Sequence, residues 1–291
     1  MKVKVALIGL GKIGKEHLSE LRRSDYFELV AVCDKEEIQE FGRFAFFKDI
    51  DEMFAVSKPQ AVIITTPSRT HKEIILKCMK YIKNIFVEPP FTSNLEQARE
   101  MKYAASINNV KIAIGFNDRF NPTVTSLVRE FKKEKNIYSI NIIRACNCKN
   151  DMDIVENFLL RDLDLVRFLT NSDINLFDMK KIIFENQDSL AIAHSNLKTK
   201  NNILVNISSN SFYPQYRVVM EICAESGIYL ADLAEFSLCK LTSNGRVNLK
   251  VENEDFSIRN EHKYFYEMCT NDNSGPLARV EDIIKAREIL K

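Results

Sequence analysis

Apolar runs alternate with stretches of helical spacing through the first part of the chain. Val3, Val5, Leu7 and Ile8 make one run, Leu29-Val30-Ala31-Val32-Cys33 a second, and Ala61-Val62-Ile63-Ile64-Thr65 a third that is apolar almost without a break. An unbroken run suits a parallel strand covered on both faces. Phe44 to Phe47, Asn84 to Val87 and Lys111 to Gly115 complete the predicted strands. Between them, Ile13, Leu18 and Leu21 mark one helix face, and Ile50, Met53 and Phe54 another. Further helices are predicted from about Thr70 to Tyr81 and from Ser93 to Ile107, the latter opened by a Ser93-x-x-Glu96 capping box. Strands alternating with helices predict a doubly wound parallel sheet that takes its ligand at the carboxyl ends of the strands.

The pattern changes near Arg119. Pro122 to Lys133 reads as a connecting helix, and Ile137 to Arg144 alternates like a strand with one buried face. A helix over about Asp153 to Leu169 follows. Then come strands at Lys181 to Phe184, Ser189 to Ser195, Ile203 to Ser209, Arg217 to Cys223 and Ile228 to Leu230, with closing helices at His262 to Cys269 and Val280 to Leu290. Two domains are predicted: 1–118, and an α+β domain over 119–291 with an open, mainly antiparallel sheet. The last helix is left free to pack back on the first domain.

The first strand ends in Gly9-Leu10-Gly11-Lys12-Ile13-Gly14, and a helix follows. Strand, G-x-G-x-x-G and helix in that order form a dinucleotide-binding fingerprint of the Rossmann type. Gly9 permits the tight turn, Gly11 lets backbone approach a pyrophosphate, and Gly14 lets helix and strand pack closely. The helix N-terminus offers its N–H groups and positive dipole end to phosphates. Asp34 closes the second strand about 20 residues on, where an acid bonds the ribose 2′-hydroxyl. A carboxylate there repels a 2′-phosphate, so NAD(H) is favoured over NADP(H), although Lys35 stands beside it.

Composition narrows the classes. A chain of 291 residues, 45% hydrophobic and 28% charged, suits a soluble globular protein. Lys plus Arg at 41 nearly cancels Asp plus Glu at 40, which argues against a nucleic-acid partner. No apolar run reaches membrane-spanning length, and Val5 to Leu10 is too short for a secretion signal. The seven cysteines are scattered, and Cys146-x-Cys148 lacks the partners of a zinc site. Reduced thiols in a cytoplasm, and no metal, are the expectation.

Three further segments carry a resemblance: Thr65 to His71, Val87 to Ala98, and Gly115 to Pro122. With the glycine fingerprint, and in this order, they resemble the Gfo/Idh/MocA oxidoreductases over nearly the whole chain. The resemblance implies a nicotinamide cofactor lying along Thr65, Thr66, Pro67 and His71 with Gly9, Gly11, Lys12, Ile13, Gly14, Asp34 and Lys35. It also implies Glu88 near the nicotinamide ribose, Arg119 at the mouth of the substrate pocket, and a homo-oligomer joined through the C-terminal sheet. The loop between Arg144 and Asp153 looks trimmed against the family.

The family's proton-handling residues are a lysine in Glu-Lys-Pro and an Asp-x-x-x-His pair on a helix of the second domain. Here Pro89 stands at the lysine, in Glu88-Pro89-Pro90, while Asn157 and Arg161 stand at the aspartate and histidine. None of the three titrates usefully near neutral pH. Asn157 and Arg161, four apart, share a helix face and suit a carboxylate or phosphate through the guanidinium fork. Alternatively, Arg161 pairs with Asp162 or Asp164 as helix surface. Asp164 and Arg167 read as structural, and His194 as a packing residue within a strand. Tyr213, Tyr216 and Arg217 read as a loop that either faces the cleft or packs. Two functions follow. One is an NAD(P)-dependent oxidoreductase with a non-standard acid–base site acting on a small sugar-like or conjugated carbonyl compound; biliverdin reductases, also short, lack the same lysine. The other is a catalytically silent NAD(H)-binding protein acting as sensor or partner subunit.

Overall fold

The computed structural model describes residues 1–36, 44–147, 153–184 and 191–290. Contacts divide the chain into two units: Met1–Asn117 with Ile258–Ile284, and Asp118–Ser257 with Lys285–Lys291. Residues 258–284, read from sequence with the second domain, thus fall in the first unit. Cys148 and the expected strand start at Ser189 lie outside the described residues.

The first unit is built on a seven-stranded sheet. Its strands are β1 (Val3–Ile8), β2 (Phe27–Cys33), β3 (Ala45–Phe47), β4 (Ala61–Ile64), β5 (Asn84–Val87), β6 (Lys111–Ile114) and, from far along the chain, β15 (Ala278–Arg279). The order is β15-β6-β5-β4-β1-β2-β3; every pair is parallel except β15 against β6. Each residue of β4 is fully buried, as a strand covered on both faces requires. The connecting helices are α1 (Lys12–Arg22), α2 (Ile50–Ser57), α3 (Ser68–Cys78) and α4 (Leu95–Ile107). Strand order reverses between β1 and β4, which puts a crevice at their carboxyl ends.

Caps fix the helix starts. Asp49 accepts from Glu52 N at 2.9 Å to open α2. The expected Ser93–Glu96 box is one residue out of register: Asn94 is the N-cap of α4 and accepts from Gln97 N at 2.9 Å. Gln97 Oε1 in turn accepts from Ser93 N at 3.3 Å. Asparagine caps as well as serine, and its choice moves the reciprocal partner from Glu96 to Gln97. After the second unit the chain returns as α7 (Ser257–Asn271), whose Phe265 and Met268 are fully buried.

The second unit carries an eight-stranded sheet, ordered β14-β13-β12-β11-β7-β10-β9-β8. Its strands are β7 (Ile137–Asn147), β8 (Ile174–Ile183), β9 (Ala191–Thr199), β10 (Leu204–Asn210), β11 (Phe212–Ala224), β12 (Gly227–Asp232), β13 (Ser237–Thr242) and β14 (Gly245–Asn248). Only β10 against β7 is parallel. One face, with Ile140, Ile142, Val205, Ile207 and Met220, packs on α5 (Pro122–Phe131) and α6 (Leu160–Thr170). The hairpin β13–β14 escaped the sequence reading although Asn244-Gly245 is a strong turn signal. The expected loop at Phe212 to Arg217 lies within β11, at a break in its register with β7. His194 is exposed on β9 instead of packed.

Cys33, Cys78, Cys223, Cys239 and Cys269 are free, and burial pushes the Cys78 thiol up to about 12. Cys146 is disulfide-bonded, so the expectation of reduced thiols throughout fails there. No helix among the described residues is long and apolar enough to cross a membrane.

Glu134, just past α5, pins the sheet edge. It accepts from Tyr229 Oη at 2.6 Å, from Lys240 Nζ at 2.9 Å, and from Ser226. Burial pushes its carboxyl up, but Ser226, Tyr229 and Lys240 outweigh that and bring it to about 2, against an ordinary 4.5. A lowered native pKa stabilises the fold fully above the unfolded value, and that contribution is lost as pH falls through the folded one. Urea midpoints should therefore fall between about pH 4.5 and about pH 2. In Glu134→Gln that part of the acid slope should disappear; an unchanged slope contradicts the assignment.

Candidate functional site

In the first unit, β1 ends in a turn whose three glycines have separate reasons to be glycine. Gly9 has φ +101°, and a Cβ there would meet Thr66 N at 2.8 Å. At Gly14 a Cβ would overlap the Gly9 carbonyl, so α1 and β1 approach as closely as backbone allows. Gly11 is different: its φ is −61°, and a Cβ would meet nothing within 4 Å. Among the described residues, nothing crowds Gly11. Open space there, beside a helix start, is the shape a pyrophosphate needs. Gly11 is the N-cap of α1 and, having no side chain, makes no cap bond to the N–H groups that open the helix.

The surroundings brace the turn. Thr65 Oγ1 donates to Gly9 O at 2.8 Å, and Gly9 N donates to Cys33 O at 2.9 Å. Asp34, half-buried at the end of β2, accepts from Leu10 N at 2.5 Å and from Glu36 N at 3.1 Å. One bond to each oxygen leaves lone pairs for a pair of hydroxyls. Lys12 and Lys35 are exposed, and Ile13, Thr66 and Pro67 lie at or near the surface.

His71 corrects an expectation. It is 1% exposed, donates from Nε2 to Thr66 O at 2.6 Å, and has Nδ1 3.3 Å from Phe91 O. Burial lowers its pKa, the carbonyl contacts opposing. The ring knits the turn after β4 to the loop after β5. Glu88, closing β5, is also buried; its Oε1 lies 3.0 Å from His17 Nε2.

In the second unit, the predicted helix starts as a π-helical turn (Val155–Leu159) and continues as α6. Such turns occur often at functional sites. Asn157 stands in the π turn and donates to Asp153 O at 2.9 Å. Arg161, on the first turn of α6, keeps 24% of its side chain exposed and lies 3.6 Å from Asp118. Of the two partners expected of it, Asp162 pairs with Arg144 and Asp164 with Arg119.

Arg144 is the centre of this cluster. It is 2% exposed and projects from β7 beneath α6. It donates to Asp162 Oδ1 at 2.9 Å, to Asp118 Oδ2 at 3.1 Å and to Tyr216 Oη at 3.3 Å. Burial raises Asp118, but Arg144 and Arg161 outweigh it and hold that carboxyl below its usual range. For Asp162 burial wins and the pKa is raised; its Oδ2 is buried with no hydrogen-bond partner among the described residues.

Arg119 is the second correction. Its guanidinium makes a two-pronged bond to Asp164 at 2.8 and 2.5 Å and stacks over Phe168, 7% exposed. It anchors α6. Asp118, Arg144, His17 and Glu261-His262 went unnoticed in sequence. Each had a faint signal: Arg144 follows Ile140 and Ile142 at strand period, and His17 shares a helix face with Gly14, Leu18 and Leu21.

Residues 3–116 match the profile described as "Oxidoreductase family, NAD-binding Rossmann fold", that of Gfo/Idh/MocA. Over that stretch, the first part of the chain, it is similar to the Gfo/Idh/MocA oxidoreductases. Inositol 2-dehydrogenase of Rhizobium meliloti (strain 1021) is 28% identical over 60% of this chain and 56% of its own. The NAD(+)-dependent scyllo-inositol 2-dehydrogenase of Bacillus subtilis (strain 168) is 29% identical over 60% and 55%. The chain thus matches about half the length of these curated relatives. UDP-N-acetylglucosamine 3-dehydrogenase from Acidithiobacillus ferrooxidans shares the fold of this chain, with TM-score 0.86 and 19% identity over 100% of this chain and 96% of that one.

Proposed function

We propose that this chain is an NAD(P)-dependent oxidoreductase acting on a small, sugar-like or conjugated carbonyl compound, with a proton donor unlike that of its relatives. The observation that carries the reading is the open side of Gly11 at the start of α1, with Asp34 braced beside it. The sensor or silent-subunit reading rests on Pro89, Asn157 and Arg161 standing where relatives titrate.

NAD(H) is the favoured form, because a ribose 2′-phosphate would meet the Asp34 carboxylate. Asp34→Ser should narrow or reverse the preference for NADH over NADPH in calorimetry; an unchanged ratio counts against Asp34 as the selector. The partner of the second sheet is another copy of the chain, through the face that exposes Ile143 and Leu204.

When bound, the nicotinamide supplies or accepts the hydride. The chain must move the accompanying proton. Within the second unit, Tyr216 exposes its ring while its hydroxyl accepts from buried Arg144. Arg161, backed by Asp118, favours a substrate carrying a carboxylate or phosphate.

Turnover is followed as NAD(P)H absorbance over a panel of sugars, keto acids and conjugated carbonyl compounds. If turnover appears only in the triple variant Pro89→Lys, Asn157→Asp, Arg161→His, the silent reading stands instead.

A further inference from the structure

Three buried side chains of metal-binding type converge in the first unit. His17 comes from the inner face of α1, Glu88 from just past β5, and Glu261 from the second turn of α7. Their exposures are 0%, 6% and 0%. A His17 nitrogen and one carboxyl oxygen from each glutamate all lie within 4.8 Å of one another, and no other such trio forms among the described residues. His17 Nε2 stands 3.0 Å from Glu88 Oε1. Both carboxyl oxygens of Glu261 are buried with no hydrogen-bond partner among the described residues. The walls are aromatic: Phe86 meets the His17 ring, Phe27 the His262 ring, and Phe265 packs on both phenylalanines.

Two carboxylates inside such a wall are costly unless they are paired or hold a metal. One divalent cation between the three side chains balances both charges and takes the imidazole as its third donor. Nitrogen and oxygen without sulfur, from three protein ligands, is a set that holds zinc at about 2.0–2.2 Å. Donors on a tetrahedral ion of that size stand about 3.4 Å apart, so no pair here has to close by more than about 1.4 Å. The ring behind is placed to help. His17 Nδ1 lies 2.9 Å from His262 Nε2. A histidine on a metal donates its other ring hydrogen to a neighbour, which fixes its tautomer. With Nε2 turned to the ion, His17 Nδ1 carries that hydrogen and His262 Nε2 accepts it.

We propose that His17, Glu88 and Glu261 hold one zinc ion that clasps α1, β5 and α7 together. Such an ion binds the folded chain and not the unfolded one, so its affinity adds to folding stability. The three residues are too far apart along the chain to show as a ligand spacing, which is why no metal is expected from sequence alone. The clasp is independent of the dinucleotide reading.

Because the site is closed, the whole chain is refolded with zinc chloride and then dialysed into zinc-free buffer. Elemental analysis should find about one zinc per chain. X-ray absorption at the zinc edge should show nitrogen and oxygen neighbours at about 2.0–2.2 Å and no sulfur. Free zinc a hundredfold above its dissociation constant should raise the melting temperature by about 5 °C over the protein in chelator. Glu261→Gln should lose both the ion and the shift. That variant keeps the shape of the side chain and removes a buried charge, so in chelator it should melt no lower than the parent. If it does not fold, His17→Gln carries the same expectation. Less than about a tenth of an equivalent in the refolded parent, sulfur in the zinc shell, or an equal zinc shift in the folded variant overturns the proposal.

Discussion

Gly11→Asp should weaken NADH binding by at least about a hundredfold, roughly 2.7 kcal/mol, and leave the folded chain intact. The two halves of that expectation have different causes. Gly11 sits at φ −61°, an ordinary angle for any residue, and a new Cβ meets nothing within 4 Å. A surface substitution of this kind changes stability by no more than about 0.5 kcal/mol, so the melting temperature should stay within about 2 °C. A carboxylate in that space would take up the room left for a pyrophosphate and repel it. Gly14→Ala is the contrasting control. There the added methyl overlaps the Gly9 carbonyl, so α1 must shift and stability must fall with binding. Undiminished NADH affinity in Gly11→Asp, measured by calorimetry, would remove the main support for a phosphate at this turn.

Arg144→Leu should cost about 3–5 kcal/mol of folding stability, because it strips a buried partner from two carboxylates at once. Asp162 is fully buried and its Oδ1 depends on Arg144, whereas Asp118 keeps Arg161 at 3.6 Å. The double change Arg144→Leu with Asp162→Leu should recover most of the loss, since a buried ion pair replaced by apolar groups of similar size is close to neutral. Denaturant unfolding of the three proteins decides the matter. A single-variant loss under about 1 kcal/mol, the range of a surface pair, would mean that Arg144 is solvated in solution.

What was legible in the sequence was local. The run of β4, the glycine turn and Asp34 each follow from residues close together, whose roles depend on backbone angle or strand period. Polar pairs inside the units were not legible, because periodicity says that a position is buried and nothing about its partner. Arg119 looked like a substrate residue until Asp164, on another helix, proved to hold it. His71 sits where the resemblance puts a coenzyme contact, yet two carbonyls close it in. His17 reads as one more inward position of α1, and its bond to His262 joins residues too far apart for any local pattern. The shift of the α4 cap from Ser93 to Asn94 is a subtler case, with two good caps adjacent and the choice made by which neighbour reciprocates.

The most direct measurement is a crystal structure of the chain soaked with NADH. The account predicts the pyrophosphate over Gly11, within hydrogen-bond reach of the N–H groups that open α1, and a ribose hydroxyl on Asp34. A crystal saturated with coenzyme whose glycine turn stays empty, or one in which the dinucleotide lies elsewhere, would contradict it.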